Sequence, residues 1–255
     1  MLQGPQILIS VKNEAPNEKF VPTVRFDAMK KQATETSPVL IRPLNRAFFA
    51  RSPQRVARDL LGKVLVREAS VHHNAAHLAA RVVEVEAYLG ANDPAAHSAA
   101  GQTARNAVLF GPPGYAYVYF IYGNHYCLNV SCEREGKAGG VLFRALEPLL
   151  GIDEMARARG ISIASPRNLQ RLTSGPGRLA QAFGITRVRD NGRDLTSPAS
   201  GLWIGEDAFP AGSIQVTPRI GITKAADQPL RFILAGNPCL SGGKRSNRPI
   251  TNLSA

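Results

Sequence analysis

From Ser52 onward the chain sets short apolar runs between polar breaks, and the spacing of those runs separates helices from strands. Ser52-Pro53 predicts a helix start, because serine caps free N–H groups and proline suits the first helical position. Val56, Leu60 and Leu61 then share one face, and Gly62 ends the helix. Val64 to Val66 follows as a strand, His72 to His77 as a polar connection, and Ala79 to Tyr88 as a second strand rich in β-branched residues. Tyr115 to Ile121 and His125 to Val130 flank Gly123-Asn124, which predicts a hairpin. Gly140 to Leu146 is a further strand, and Ile152 to Arg159 is helical. Ser174-Gly175-Pro176 opens a helix through Phe183. Leu202 to Ile204, Ile214 to Val216 and Leu230 to Leu234 complete the strands. Strand following strand, with helices interspersed, predicts an α+β fold in which one domain is built on a mainly antiparallel sheet.

The ends differ from this pattern. Residues 1–45 mix Pro, Lys, Glu and Thr with brief apolar snatches, which reads as a flexible N-terminal extension. Residues 46–240 form the expected domain. Residues 241–255 are polar and read as a disordered tail. No run approaches the ~20 apolar residues that a membrane-spanning helix needs, and no basic start precedes an apolar stretch as in a secretory signal. Three cysteines without paired spacing suggest neither a disulfide framework nor a metal or cluster site, and point to a reducing compartment.

The formal net charge of +12 permits binding to a polyanion. Its distribution weakens that inference. Residues 1–51 hold 8 basic and 4 acidic side chains, and residues 237–255 hold 3 basic and no acidic ones. More than half of the excess therefore sits at the ends.

The chemistry concentrates elsewhere. All 6 tyrosines fall between Tyr88 and Tyr126. Tyrosine favours strands, but other predicted strands have none, and clustered rings suit the stacking of a flat heterocycle. In Glu84-Val85-Glu86-Ala87-Tyr88, alternation puts Glu84, Glu86 and Tyr88 on one face and Val83, Val85 and Ala87 on the other. From spacing alone, a solvated strand face is the commoner outcome. The functional alternative is a carboxylate beside a stacked base, where it takes a proton from water and supports a cationic sugar. Tyr122 abuts the hairpin turn. It either folds back on the sheet or wedges between base pairs.

These residues resemble a known family. Glu86-Ala87-Tyr88-Leu89-Gly90, Asp93-Pro94-Ala95-Ala96-His97-Ser98, Gln102-Thr103-Ala104-Arg105-Asn106, Gly114 through Gly123 and Cys127-Leu128-Asn129-Val130 are similar to motifs of the alkyladenine (methylpurine) type of 3-methyladenine DNA glycosylase. The resemblance resumes at Leu142 through Pro148, Ser174 through Leu179, Pro218 through Ile222 and Pro229 through Phe232, covering roughly residues 50 to 238 in order. Where the family is glycine-rich, this chain reads Ser98-Ala99-Ala100-Gly101, a change expected to alter loop geometry.

The resemblance implies a single domain with a curved sheet, surrounding helices and a protruding β-hairpin. It implies that Glu86 activates water and that Arg144 beside it keeps Glu86 ionised. Tyr88 would cover one face of a flipped base, with His97 and Tyr119 on the other. Asn129 would exclude the 2-amino group of guanine, Tyr117 would support the pocket wall, and Tyr122 would intercalate. The implied partner is double-stranded DNA carrying a damaged purine, bound by a monomer with no membrane association, no metal and no organic cofactor. The implied place is the bacterial cytoplasm at the nucleoid, or a eukaryotic nucleus. No lysine falls in the motifs that match the catalytic residues, which favours water over a Schiff base.

Other readings carry less. His72, His73 and His77 lie in a connection rather than on a helix that would align metal ligands. His125 reads as a solvated turn residue or a phosphate neighbour, Glu133 and Glu135 as solvated, and Trp203 as core. Gly175-Pro176-Gly177 lacks the Lys-Ser/Thr of a phosphate loop. Two competing functions are a non-catalytic nucleic-acid binder, which would not need Glu86, and a hydrolase of free nucleosides, which would not need Tyr122.

Overall fold

The computed structural model describes residues 7–10, 38–68, 77–243 and 246–247. Among these residues ten strands form one sheet: β1 (Ile7–Ser10), β2 (Pro38–Pro43), β3 (Val64–Arg67), β4 (Leu78–Tyr88), β5 (Ala116–Ile121), β6 (His125–Ser131), β7 (Gly140–Leu150), β8 (Leu202–Glu206), β9 (Ile214–Thr217) and β10 (Arg231–Leu234). The sheet runs β1-β2-β8-β3-β4-β7-β6-β5, and β9-β10 joins through β4. Every pairing among the described residues is antiparallel. The α+β class and the antiparallel sheet expected from the sequence are therefore present.

Strand β4 organises the sheet. One edge pairs with β7 along nearly its whole length, and the other carries β3 near its start and β10 near its end. Irregular register between Val82 and Val85 bends it where the two glutamates sit. Both faces are covered. Val83, Val85 and Ala87 enter the main core with Phe143, Leu128 and Val130, while Val64, Val66, Ala79 and Trp203 pack a smaller cluster with Ile41.

The helices are α1 (Arg46–Phe49), α2 (Pro53–Leu60), α3 (Ile152–Arg159), α4 (Pro166–Gln170), α5 (Pro176–Ala182) and α6 (Arg187–Asp190). Helix α2 buries Val56, Ala57 and Leu60 against β4 and β7. Helix α5 buries Leu179, Ala180 and Ala182 against β6 and β7, with α3 beside it. Short α1, α4 and α6 were not legible, because four or five residues carry no periodicity. Their starts are capped by Asn45, Ser165 and Thr186.

Two segment expectations meet specific contacts. Strand β2 falls inside the stretch read as an extension, yet Arg42 and Pro43 pair with Glu206 and Gly205, and Ile41 is buried beside Trp203. Ser241, in the stretch read as a tail, is buried. Most of the remaining residues of both segments, and His72 and His73, lie outside the described residues.

Candidate active site

The floor of the site comes from the polar face of β4. Glu84 and Glu86 are both 0% exposed, so the solvated-face expectation does not hold. Burying a carboxylate requires partners. Glu86 has three. Its Oε1 accepts from Ile220 N at 2.7 Å and lies 3.2 Å from Arg144 Nη1, and its Oε2 accepts from the Tyr88 hydroxyl at 2.9 Å. Glu84 accepts from Arg144 Nε at 2.8 Å, Arg231 Nε at 2.7 Å and Ser241 N and Oγ at 2.5 and 2.7 Å. Two glutamates and two arginines thus balance in charge in the interior.

Burial pushes the Glu86 carboxyl above the usual carboxylate range, against the opposing pull of Arg144, Ile220 N–H and Tyr88. Arg144 pulls toward the ionised form, as expected for the arginine beside this carboxylate, and burial opposes it. Burial also works against the charge of Arg144, but Glu86 and Glu84 outweigh it and hold the guanidinium above its ordinary value.

Above this floor lies a cavity of about 480 Å³. Tyr88, His97, Tyr117, Tyr119, Tyr122, Asn129 and Arg144 all line it. Glu86 stands one side chain behind the lining, in contact with Tyr88 and Arg144. The sequence-predicted residues are thus brought together. Register explains part of this. Tyr117 pairs with Asn129 and Tyr119 with Cys127 across β5 and β6, while Asn129 meets Leu142 of β7. Asn129 Nδ2 donates to Tyr117 O at 3.1 Å.

The rings touch one another. His97 meets Tyr119 edge-on at 4.4 Å between centroids, and Tyr117 lies 5.5 Å from Tyr119. The His97 Nδ1 and Tyr117 hydroxyl share a 3.0 Å hydrogen bond. Partial burial, with the nearby Arg105 charge, lowers the His97 pKa and keeps the ring neutral at pH 7. The loop carrying His97 is pinned by Asn106. Its Nδ2 donates to His97 O at 2.9 Å and Gly101 O at 3.0 Å, and its Oδ1 accepts from Thr103 N at 2.7 Å. Behind Tyr88, Arg219 stacks at 4.7 Å and grips Asp93 through two bonds of 2.5 and 2.9 Å.

The rim is the β5–β6 hairpin. Its left-handed residues are Tyr122 (φ 54°) and Gly123 (φ 71°), one position earlier than the Gly-Asn pair suggested. Tyr122 is 78% exposed and does not fold back on the sheet. His125, also exposed, packs beside Gly177 at the start of α5.

Several contributors were not assigned roles from the sequence: Glu84, Asn106, Arg219, Arg231 and Ser241. Asn106, Arg219 and Arg231 stand within motifs that carry the resemblance. Glu84 sits on the polar face of β4. Ser241 carried no sign, because its role exists only through contact with β4.

The methylpurine-DNA glycosylase (MPG) family matches residues 47–238. Relatives named "Putative 3-methyladenine DNA glycosylase" are similar over most of the chain. The one from Koribacter versatilis (strain Ellin345) is 62% identical over 202 residues, covering 79% of this chain and 94% of the relative. One from Rhodopseudomonas palustris (strain HaA2) is 50% identical, with 78% and 90% covered. One from Methanoculleus marisnigri (strain ATCC 35101 / DSM 1498 / JR1) is 48% identical, with 78% and 98% covered. The fold and site define a protein with an aromatic cavity over an arginine-paired carboxylate. The chain belongs to the methylpurine-DNA glycosylase family.

Proposed function

We propose that the protein removes alkylated or deaminated purines (the 3-methyladenine, 7-methylguanine, hypoxanthine and ethenoadenine class) from duplex DNA. It flips the damaged nucleotide into the cavity and hydrolyses the bond between base and sugar, which initiates base excision repair. The observation that carries this reading is Glu86, a buried carboxylate held by Arg144, Tyr88 and Ile220 directly behind the aromatic cavity.

A carboxylate offers about four lone-pair sites. Three are taken by the partners of Glu86, which leaves one for a water. As the glycosidic bond breaks, its electron pair leaves with the base and positive charge builds on the sugar; a base alkylated at N3 or N7 is already cationic and departs neutral, whereas a neutral base such as hypoxanthine takes up a proton from solvent as it departs. Glu86 stabilises that charge, takes a proton from the water and lets the oxygen bond to C1′. The products are an abasic site and a free base. The raised affinity of Glu86 for a proton makes it a stronger base than a solvated glutamate.

Tyr88 stacks on one face of the base, with His97 and Tyr119 on the other, each stack contributing about 1–3 kcal/mol. Tyr117 braces His97. Asn129, tethered to the Tyr117 carbonyl in the cavity wall, excludes the 2-amino group of guanine. Tyr122 at the exposed tip fills the gap in the duplex. Among the described residues that line the cavity none is a lysine, which supports a monofunctional, water-dependent hydrolysis. A single copy of the chain contains every group invoked, and the work is done wherever the cell keeps its DNA.

The test is base release from duplexes carrying one hypoxanthine or one alkylated purine, followed by alkaline cleavage of abasic sites. Wild type should release the base without added metal. Glu86→Gln should bind the duplex and release almost none. No release by folded wild type from any of these duplexes would reduce the protein to a nucleic-acid binder. Equal release by both forms would remove Glu86 from the centre.

A further inference from the structure

Glu84 contacts neither the cavity nor the position proposed for the water. Yet it is 0% exposed and accepts four hydrogen bonds from three elements. Arg144 cannot reach Glu86 independently of it. The Nε of Arg144 is committed to Glu84 at 2.8 Å, its Nη1 donates to Ile220 O at 3.2 Å, and its Nη2 donates to Ser241 Oγ at 3.2 Å. These three contacts fix the plane of the guanidinium, and that plane sets Nη1 3.2 Å from Glu86.

The C-terminal segment closes the arrangement. Ser241 donates to both oxygens of Glu84 and accepts from Arg144. Arg231 is 0% exposed and ties Glu84 to Ser241 O, Ser246 O and Asn247 Oδ1, with 2.7 Å bonds to the latter two. Its remaining bond reaches Thr217 of β9. A purely structural ion pair in the interior is often replaceable by apolar packing at little cost. A pair that also aims the partner of the base is not.

We propose that Glu84 is the positioning residue of this site: held by Ser241 and by Arg231, which Ser246 and Asn247 hold in turn, it orients Arg144 against Glu86 and makes the C-terminal segment a working part of the active site. The inference rests on the hydrolytic reading above. It adds that the two glutamates of β4 divide the labour, Glu86 acting on water and Glu84 acting on Arg144.

Among the described residues, the charged and titratable groups facing Glu86 are Glu84 and Tyr88 on β4, Arg144 on β7 and Cys127 on β6, with Arg231 on β10 acting through Glu84. Removing the charge of Glu84 takes a repelling neighbour from Glu86, but it also releases Arg144, whose pull on the Glu86 anion is the larger of the two. Loss of the aligned guanidinium therefore disfavours the Glu86 anion.

The experiment measures single-turnover release of an alkylated purine against pH for wild type and Glu84→Gln, with a ¹³C-carboxyl NMR titration of Glu86 assigned by its loss in Glu86→Gln. The expected result is a rate lowered about 10- to 100-fold, with the acid limb and the Glu86 titration moved to higher pH as Arg144 loses its alignment. Ser241→Ala keeps both charges and provides the second arm. It should lower the rate about 3- to 10-fold with the limb unmoved, an order of magnitude suited to two lost hydrogen bonds. A folded Glu84→Gln within twofold of wild type, or one whose rate falls while the Glu86 titration stays in place or moves to lower pH, overturns the proposal. Were Glu84→Gln unable to fold, a Ser241→Ala rate equal to wild type would overturn it instead. Absence of release by wild type would defeat the hydrolytic reading, while the NMR titration still decides whether Glu84 sets the state of Glu86.

Discussion

The buried end of β4 and the tip of the β5–β6 hairpin bound the same cavity and are built in opposite ways. Glu84 and Glu86 have no exposure, and every bond around them is charged or polar. Tyr122 is 78% exposed, and it holds a left-handed backbone that a bulky side chain disfavours. The first region spends stability on desolvated charge. The second spends it on backbone strain of about 1–3 kcal/mol. Chemistry on a weak nucleophile needs groups fixed before substrate arrives. Engagement of a duplex needs an apolar ring presented to solvent. The difference teaches that one site can divide these tasks between a rigid interior and a strained, exposed edge.

The largest effect should come from the interior. Glu86→Gln is isosteric, and its amide can donate to the Tyr88 oxygen while its carbonyl keeps Ile220 N–H and Arg144. Single-turnover release should fall by about 10²–10⁴-fold, with duplex affinity within a few-fold of wild type. Matched losses in binding and release would erase the division between the two regions.

The edge predicts the reverse. Tyr122→Gly relieves the strain at φ 54° and should raise folding stability by about 1 kcal/mol in denaturant titrations. It should also weaken binding to lesion duplex by about 10-fold, the loss of one stacked ring. A variant both less stable and fully active would show that Tyr122 is a structural turn residue.

A smaller effect tests the ground beside the rim. Arg178 lines the cavity, and its pKa is lowered by burial and by the charge of Arg171, so these two cations stand close together. Replacing both with Ala should reduce the slope of log K against log salt by about 2, one for each lost phosphate contact. An unchanged slope would place the DNA backbone elsewhere.

The smallest effect concerns stability against pH. The folded pKa of Glu86 is raised, chiefly by burial. Its contribution is therefore fully present below the unfolded value, about 4.3, and is lost as pH rises through the folded value. Glu86→Gln has no such loss. Its melting temperature should gain on wild type across that window and then hold a constant lead. Release of an alkylated purine by wild type should rise over the same window, since only the anion can take a proton. A lead that shrinks with pH would mean that Arg144 outweighs burial.

Much of this was legible in the amino-acid order. The alternation in β4 put Glu84, Glu86 and Tyr88 on one face and Val83, Val85 and Ala87 in the core, because side-chain direction in a strand has a period of two. The crowding of tyrosines between residues 88 and 126 marked the pocket wall, which Tyr88, Tyr117, Tyr119 and Tyr122 line, whereas Tyr115 and Tyr126 pack outside it. The longer helices α2, α3 and α5 were legible, α2 with its buried face and its Pro and Gly boundaries and α5 with its Gly-Pro start. The hairpin was evident, though its left-handed pair fell one residue earlier, since local composition locates a turn better than it sets backbone angles.

What only the tertiary structure decided is which polar residues become interior. Spacing cannot tell a solvated glutamate face from a buried one. That depends on Arg144, Arg231 and Ser241, lying 60, 147 and 157 residues beyond Glu84. The same holds for Asp93 and Arg219, 126 positions apart. Local sequence determined the strands, the faces and the stock of chemical groups. Long-range packing determined their charge environment, because the cost of burying an ion is met only by partners that the fold brings from far along the chain.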